Sequence, residues 1–176
     1  NEIVRKLRDA ALLPAIVFVF SRRMVKEYAL RIQTSLFATG DKTPSVIESE
    51  CRKILSKLDN SGEYMALPEY TETKDLLKKG IAMHSAGIPQ ILREMVEILF
   101  DRGCIKILFA TETFAVGINM PAKSTVFTSL SKWDGHQFRA LHPHEYSQMA
   151  GRAGRRGIDS VGNAIHLANL VEEGRF

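Results

Sequence analysis

Two cysteines, Cys51 and Cys104, are all that this chain of 176 residues offers for thiol chemistry. They lie far apart and form no CxxC pair, which excludes a disulfide-stapled scaffold and a cysteine-rich zinc site and suits a reducing compartment. Long apolar runs are missing too. The longest, such as Ala15 to Phe20, fall far short of the ~20 residues that a membrane-spanning helix needs. The first residues do not read as a signal peptide, and the chain starts at Asn1 and not at Met, so a fragment of a longer protein is expected. No GxxxxGK[ST] occurs, so the chain has no P-loop of its own, and no acidic run closes any strand-like segment. Such a chain is expected to touch phosphates without holding Mg²⁺ and hydrolysing a nucleotide alone.

The composition that remains is ordinary for a globular domain: 45% hydrophobic and 25% charged residues. A chain this long buries roughly 70% of its unfolded surface without staples. The net charge of +4 is unevenly spread. Residues 1–101 carry 15 basic and 14 acidic side chains, whereas residues 102–160 carry 8 and 4. Three arginines, Arg152, Arg155 and Arg156, fall within five residues. A focused excess raises the odds of an anionic partner such as phosphate, although many such runs are solvated faces.

Five apolar runs read as strands: Ala15–Phe20, Gly80–Met83, Cys104–Ala110, Ser124–Ser129 and Asn163–Leu167. They are continuous or nearly so, which predicts burial on both faces. Helical spacing lies between them. It runs through Val25, Tyr28, Ala29, Ile32 and Leu36, and again through Ile91, Met95, Ile98 and Leu99. A further stripe, Ile47, Cys51, Ile54, Leu55 and Leu58, follows an expected capping box of Ser45 and Glu48. Ile3, Val4, Leu7 and Ala11 predict a helix ahead of the first strand. The alternation implies an α/β fold, a mostly parallel sheet with helices on both faces. One stretch, residues 37–79, breaks the rhythm with turn signals and two expected short helices, one starting near Thr71, and reads as a helical insertion within one domain. Ligands of such folds sit beyond the carboxyl ends of the strands, which directs attention to Ser21–Arg23, His84–Gly87, Thr111–Pro121 and the loop after Ser129.

Three segments carry candidate chemistry. In Gln148-Met-Ala-Gly-Arg-Ala-Gly-Arg-Arg-Gly-Ile-Asp159, a helix continued at 100° per residue puts Arg152 ~40° from Gln148 and Arg155 about 20° to its other side. An amide and two guanidiniums then share one face. Glycine at this density costs roughly 1 kcal/mol per helical position, and close approach of another surface is the natural reason for it. Guanidinium suits phosphate, and a solvated basic helix end stabilised by the dipole remains the plainer reading. In the second segment, Phe109 to Pro121, a strand ends in the hydroxyls of Thr111 and Thr113, followed by Gly117 and Asn119. Hydroxyls and backbone amides there make a phosphate seat, and Asn119 offers groups for a ribose hydroxyl; the plainer reading is a helix cap. The third, Phe18-Val-Phe-Ser-Arg-Arg23, runs into a helix whose cap is Ser21. His142-Pro-His144 lacks a third metal ligand nearby, so no metal site is expected.

Together these segments resemble the second RecA-like domain of a superfamily 2 helicase. Gln148-x-x-Gly-Arg-x-Gly-Arg155 resembles motif VI, Thr111 to Asn119 motif V, and Phe18 to Arg22 motif IV, while His84-Ser-Ala-Gly87 with Arg93 resembles the motif IVa region. The wording from Phe109 to Ala122, Lys132-Trp-Asp-Gly135 and Glu145 to Asp159 is similar to the superkiller-type DExH-box RNA helicases, and the likeness extends from about Ala15 to Leu167. Asn119 stands where DEAD-box relatives carry Asp.

The resemblance implies one domain over residues 1–176, the helicase C-terminal domain with the insertion at 37–79, cut from an ATP-dependent RNA helicase of 3′–5′ type that unwinds RNA for the exosome. Arg152 and Arg155 would reach the γ-phosphate of ATP held with Mg²⁺ mainly by the preceding RecA-like domain, with Arg155 as the arginine finger and Gln148 in the same network. Gly117 and Asn119 would face the nucleotide. Ser21, Arg22, Thr111 and Thr113 would contact the RNA backbone. Partners would be single-stranded or structured RNA, the first RecA-like domain, and the exosome with its adaptors, in nucleus or cytoplasm and not at a membrane. The isolated domain is expected to be inactive. A DNA helicase of the same superfamily and a helicase-like scaffold without turnover remain as alternatives.

Overall fold

The computed structural model describes residues 2–117 and 120–167. Its chain order is α1 (Glu2–Asp9), β1 (Ala15–Phe18), α2 (Arg22–Leu30), α3 (Thr43–Leu55), α4 (Ser61–Ala66), α5 (Pro68–Leu77), β2 (Ile81–His84), α6 (Gln90–Asp101) and β3 (Ile107–Ala110). There follow α7 (Thr113–Gly117), β4 (Ser124–Phe127), β5 (Ser131–Trp133), β6 (Phe138–Ala140), α8 (Pro143–Ala150) and β7 (Asn163–His166). Five strands form one sheet in the order β2-β3-β1-β4-β7. Every pairing in it is parallel, with Phe18 level with Ala110 and Phe127, and Phe127 level with His166.

The pleat sorts the side chains into two layers. Ile16 and Phe18 of β1 point into a layer built with α3, α6, α7 and α8, through Ile47, Leu55, Leu92, Met95, Leu99, Phe114 and Met149. Ala15 and Val17 point the other way, onto Val4 and Leu7 of α1 and Val25 and Ala29 of α2. Helices therefore cover both faces, as the alternation of patterns predicts. β1 to β4 are buried at every position. β7 departs from the expectation: its positions alternate between half-buried and exposed, because it is the last strand of the sheet and has one neighbour.

The stretch 37–79 holds three helices where two short ones are expected, and the last begins at Pro68 rather than near Thr71. It is not a loose appendage. Ile47, Cys51 and Leu55 of α3 are fully buried in the main core, and side chains of this size stabilise by roughly 1.5–3 kcal/mol each when so placed. The expected Ser45–Glu48 capping box does not form. α3 starts earlier, at Thr43, with Pro44 in its first turn, and the Asp41 carboxylate accepts from both the amide and the hydroxyl of Thr43 at 2.8 and 2.6 Å. Burial pushes the Cys51 thiol up to about 11, so it stays protonated and inert.

One element escapes the apolar-run reading altogether. β5 and β6 form an antiparallel hairpin, with Lys132 opposite Arg139 and Trp133 opposite Phe138. Asp134 closes its loop by accepting from the amides of His136 and Gln137 at 2.8 and 2.9 Å.

Candidate functional site

At the carboxyl end of the sheet, β3 hands over to Thr111. Its amide donates to the His84 carbonyl of β2 at 3.1 Å, so two adjacent strands fix its position. The hydroxyls of Thr111 and Thr113 lie 3.0 Å apart; Thr111 is buried and Thr113 exposed. Ser21 and Arg22 follow β1 at the same end. The Ser21 hydroxyl caps α2 by accepting from the Met24 amide at 3.4 Å, and Arg22 is exposed, with its Cδ 3.9 Å from where a Cβ on Gly87 would stand. The structure thus gathers Ser21, Arg22, Thr111 and Thr113 at one end of neighbouring strands. A cleft of about 330 Å³ continues this end between Arg22, Lys26, Glu72, Ser85 and Gly87.

The arginines lie elsewhere. α8 ends at Ala150 and its cap is Gly151, so the helical projection of Arg152 and Arg155 onto the face of Gln148 does not apply. Beyond Gly151 the chain turns and pairs with the residue leading into β4: the Ala122 amide donates to the Arg152 carbonyl at 2.9 Å and the Gly154 amide to the Ala122 carbonyl at 2.7 Å. Ala122 precedes β4, so this segment sits at the amino end of the sheet, opposite the hydroxyls. The loops beyond the carboxyl ends are therefore only half of the candidate site.

The glycines find their explanation here. A Cβ on Gly162 would overlap the Ala153 carbonyl, and one on Gly154, whose φ is +92°, would come within 3.1 Å of the Gly162 Cα. The close approach that glycine permits here is between the loop after α8 and the segment leading into β7. Arg152 donates to the Ala115 carbonyl of α7, which ties the arginine loop to the segment descending from Thr111. Arg155 is half-buried, and its Nε and Nη2 donate to the two carboxylate oxygens of Asp159 at 2.7 and 2.8 Å. That pairing holds the Asp159 carboxyl down at about 2. Gln148 is exposed on α8. Gly117 closes α7, and Asn119 lies outside the described residues.

Two constellations join residues that the motifs name, through contacts that the motifs do not predict. Lys132 of the hairpin reaches Glu112 at 3.2 Å and Glu145 at 2.8 Å, while Arg139 grips both Glu145 oxygens at 2.8 and 2.9 Å. Arg139, against the cost of burial, and then Lys132 hold the Glu145 carboxyl far below its ordinary range. Burial works against the charge of Lys132, yet its two carboxylate partners raise its pKa. This network fastens the hairpin to α7 and α8. The signal for it in the sequence is slight: Asp134-Gly135 marks a turn. The second is His84, buried at the end of β2, with Nε2 2.6 Å from Glu97 and its ring edge-on to Phe114. Burial lowers its pKa despite Glu97. Residues thirteen apart in sequence leave no spacing rule to predict that pair.

Residues 52–157 match the helicase conserved C-terminal domain family. The chain belongs to that family. Its sheet order and parallel register are those of a RecA-like helicase C-terminal domain. This helicase C-terminal domain is 46% identical over 167 residues to the antiviral helicase SKI2 of Saccharomyces cerevisiae, a match covering 95% of this chain and 13% of the relative. It is 47% identical over 165 residues to the human superkiller complex protein 2, covering 94% and 13%. The human exosome RNA helicase MTR4 is 43% identical over 168 residues, covering 96% and 16%. The helicase domain described here thus spans about an eighth of the length of the superkiller-type relatives. No helix among its described residues is long and apolar enough to cross a membrane.

Proposed function

We propose that this helicase C-terminal domain, residues 1–176 with 37–79 as an insertion, is the second RecA-like domain of an ATP-dependent RNA helicase. It would work inside the cell, in nucleus or cytoplasm, with the 3′–5′ polarity and exosome partnership of the superkiller type. The observation that carries the reading is the division of the site. Hydroxyls and a basic helix start stand at one end of the sheet, and guanidiniums on a loop at the other.

The residues present fit a shared ATP site. Two of the five Arg155 N–H donors go to Asp159, and among the described residues the other three have no partner. No group of three or more acidic, His or Cys side chains that could hold a metal occurs among the described residues. The free donors of Arg155 suit the neutralisation of a phosphate, with the nucleotide's Mg²⁺ held mainly by the preceding RecA-like domain. Gly117 and Asn119 would face the nucleotide, and Arg152 with Gln148 would join Arg155 in the network around the γ-phosphate.

Phosphoryl transfer is catalysed mainly by positioning and charge neutralisation, and an arginine supplied across a domain boundary contributes on the order of 10³–10⁵ in rate. Hydrolysis then requires closure of the two domains. Closure displaces Ser21, Arg22, Thr111 and Thr113 relative to the other domain's hold on the RNA. Contacts to phosphate carry no sequence information, which suits travel along any strand. In the complete helicase, Arg155→Ala should lower RNA-stimulated ATP hydrolysis by about a thousandfold or more while RNA binding stays within about twofold. Wild-type turnover in that variant would remove Arg155 from catalysis, and hydrolysis by the pure isolated domain would sink the two-domain account.

A further inference from the structure

We propose that Asp159 is the positioning residue of the arginine finger, an inference that rests on the reading of Arg155 given above. The geometry points to it from three bonds. The Asp159 carboxylate accepts from the Arg155 backbone amide at 3.0 Å, from Nε at 2.7 Å and from Nη2 at 2.8 Å. The Asp159 amide returns a bond to the Arg155 carbonyl at 2.9 Å. One carboxylate therefore fixes the backbone and the guanidinium plane of the same residue. Its side chain is only 6% exposed, against 29% for Arg155, so the anchor is sheltered and the anchored group is open to a ligand.

The side-on grip occupies the Nε–Nη2 edge and leaves Nη1 and one Nη2 hydrogen. Those are the donors a phosphate oxygen would meet. A free arginine at the edge of a cleft samples many rotamers, and ordering it at the moment of reaction would cost conformational entropy. Held by Asp159, it meets the phosphate already oriented, which is the arrangement that makes charge stabilisation effective. The neighbourhood leaves room for an approach: Arg155, Arg156 and Ile158 border a cleft of about 430 Å³ with Pro14, Met120 and Pro121.

A carboxylate beside a catalytic cation has a competing effect, since it offsets part of the positive charge. The two effects predict opposite outcomes. The experiment uses the complete helicase with saturating RNA and compares Asp159→Asn, Asp159→Glu and Arg155→Ala. Asp159→Asn keeps an oxygen for the Arg155 amide and loses the charged two-oxygen grip. It is expected to lower kcat by about tenfold to a hundredfold, the cost of a misplaced catalytic group. KM for ATP and for RNA should stay within about twofold, as for an interaction made only in the transition state, and Tm should be close to wild type. Asp159→Glu, which restores the charge, should recover part of kcat. If Arg155→Ala abolishes turnover while Asp159→Asn matches or exceeds wild type, the positioning role is overturned and the arginine finger stands. If Arg155→Ala turns over normally, both fall.

Discussion

The two ends of the sheet are built on different principles. At the carboxyl end, Thr111 and Ser21 take their positions from regular structure: one continues a buried strand, the other caps a helix, and their neighbours are backbone amides and carbonyls. At the amino end, the arginine loop has left α8 behind and is held by close backbone contact through Gly154 and Gly162, by the bond from Arg152 to Ala115, and by Asp159. The first kind of site tolerates change in side chains because the backbone does the holding. The second depends on individual atoms: the Gly154–Gly162 approach leaves no room for a Cβ, and one carboxylate orients the Arg155 guanidinium.

Beyond the loss of turnover at Arg155, the largest effect should come from adding that methyl group. Gly162→Ala places a Cβ on the Ala153 carbonyl, and overpacking against backbone should cost about 3 kcal/mol or more. Gly62→Ala is the control, because a Cβ there meets nothing within 4 Å and α4 should gain a few tenths of a kcal/mol up to about 1. Urea unfolding of both variants reads the difference, and equal midpoints would show that the arginine loop accepts the added methyl group after all. Next in size is Lys132→Met. It leaves Glu112 and Glu145 facing each other without their shared cation, at a cost of about 2 kcal/mol, and hydrogen exchange should quicken in the β5–β6 hairpin first.

Thr111→Val tests the robust end. Its shape is kept and only the hydroxyl is lost, so KM for RNA should rise about fivefold, worth ~1 kcal/mol, with kcat at saturating RNA nearly unchanged. A fall in kcat without a change in KM would blur the division between the ends. The smallest effect concerns His84, which burial keeps neutral. A group with a lowered folded pKa gives stability that is present above its ordinary value of 6.5 and is lost as pH falls toward the folded one. Wild type should therefore lose stability below about pH 6.5 relative to His84→Gln, as read from Tm across the acid range, and parallel curves would remove the histidine from the acid response.

The strands were legible because burial on both faces leaves continuous apolar runs; only their ends shifted, as Ala15–Phe18 against Ala15–Phe20 illustrates. Where the element is three residues long, that signal vanishes. The hairpin, with half-exposed Ser131 and Lys132 and exposed Trp133, offers no periodicity, whereas β7 was found as a strand and only its expected burial on both faces failed. At the site, identities were legible in the motifs, but their arrangement was not. Helical spacing was extended past Gly151, where α8 has already ended, and the capping pattern at Ser45 lost to Asp41 and Pro44, which start the helix sooner. Long-range pairs such as Lys132 with Glu112 depend on topology, which spacing along the chain does not encode.

The run from Thr111 to Ala122 has a consequence for how this domain can diversify. It starts at the hydroxyl end, gives up the Ala115 carbonyl to Arg152, and finishes in the bridge to Ala153. Any insertion or deletion along it would shift one end of the sheet against the other. New sequence is more easily accommodated off that line, for example at the exposed Asp134–Gln137 tip or between the helices of 37–79. Across natural variants, length variation should therefore collect at those two places while the span from 111 to 122 keeps its length.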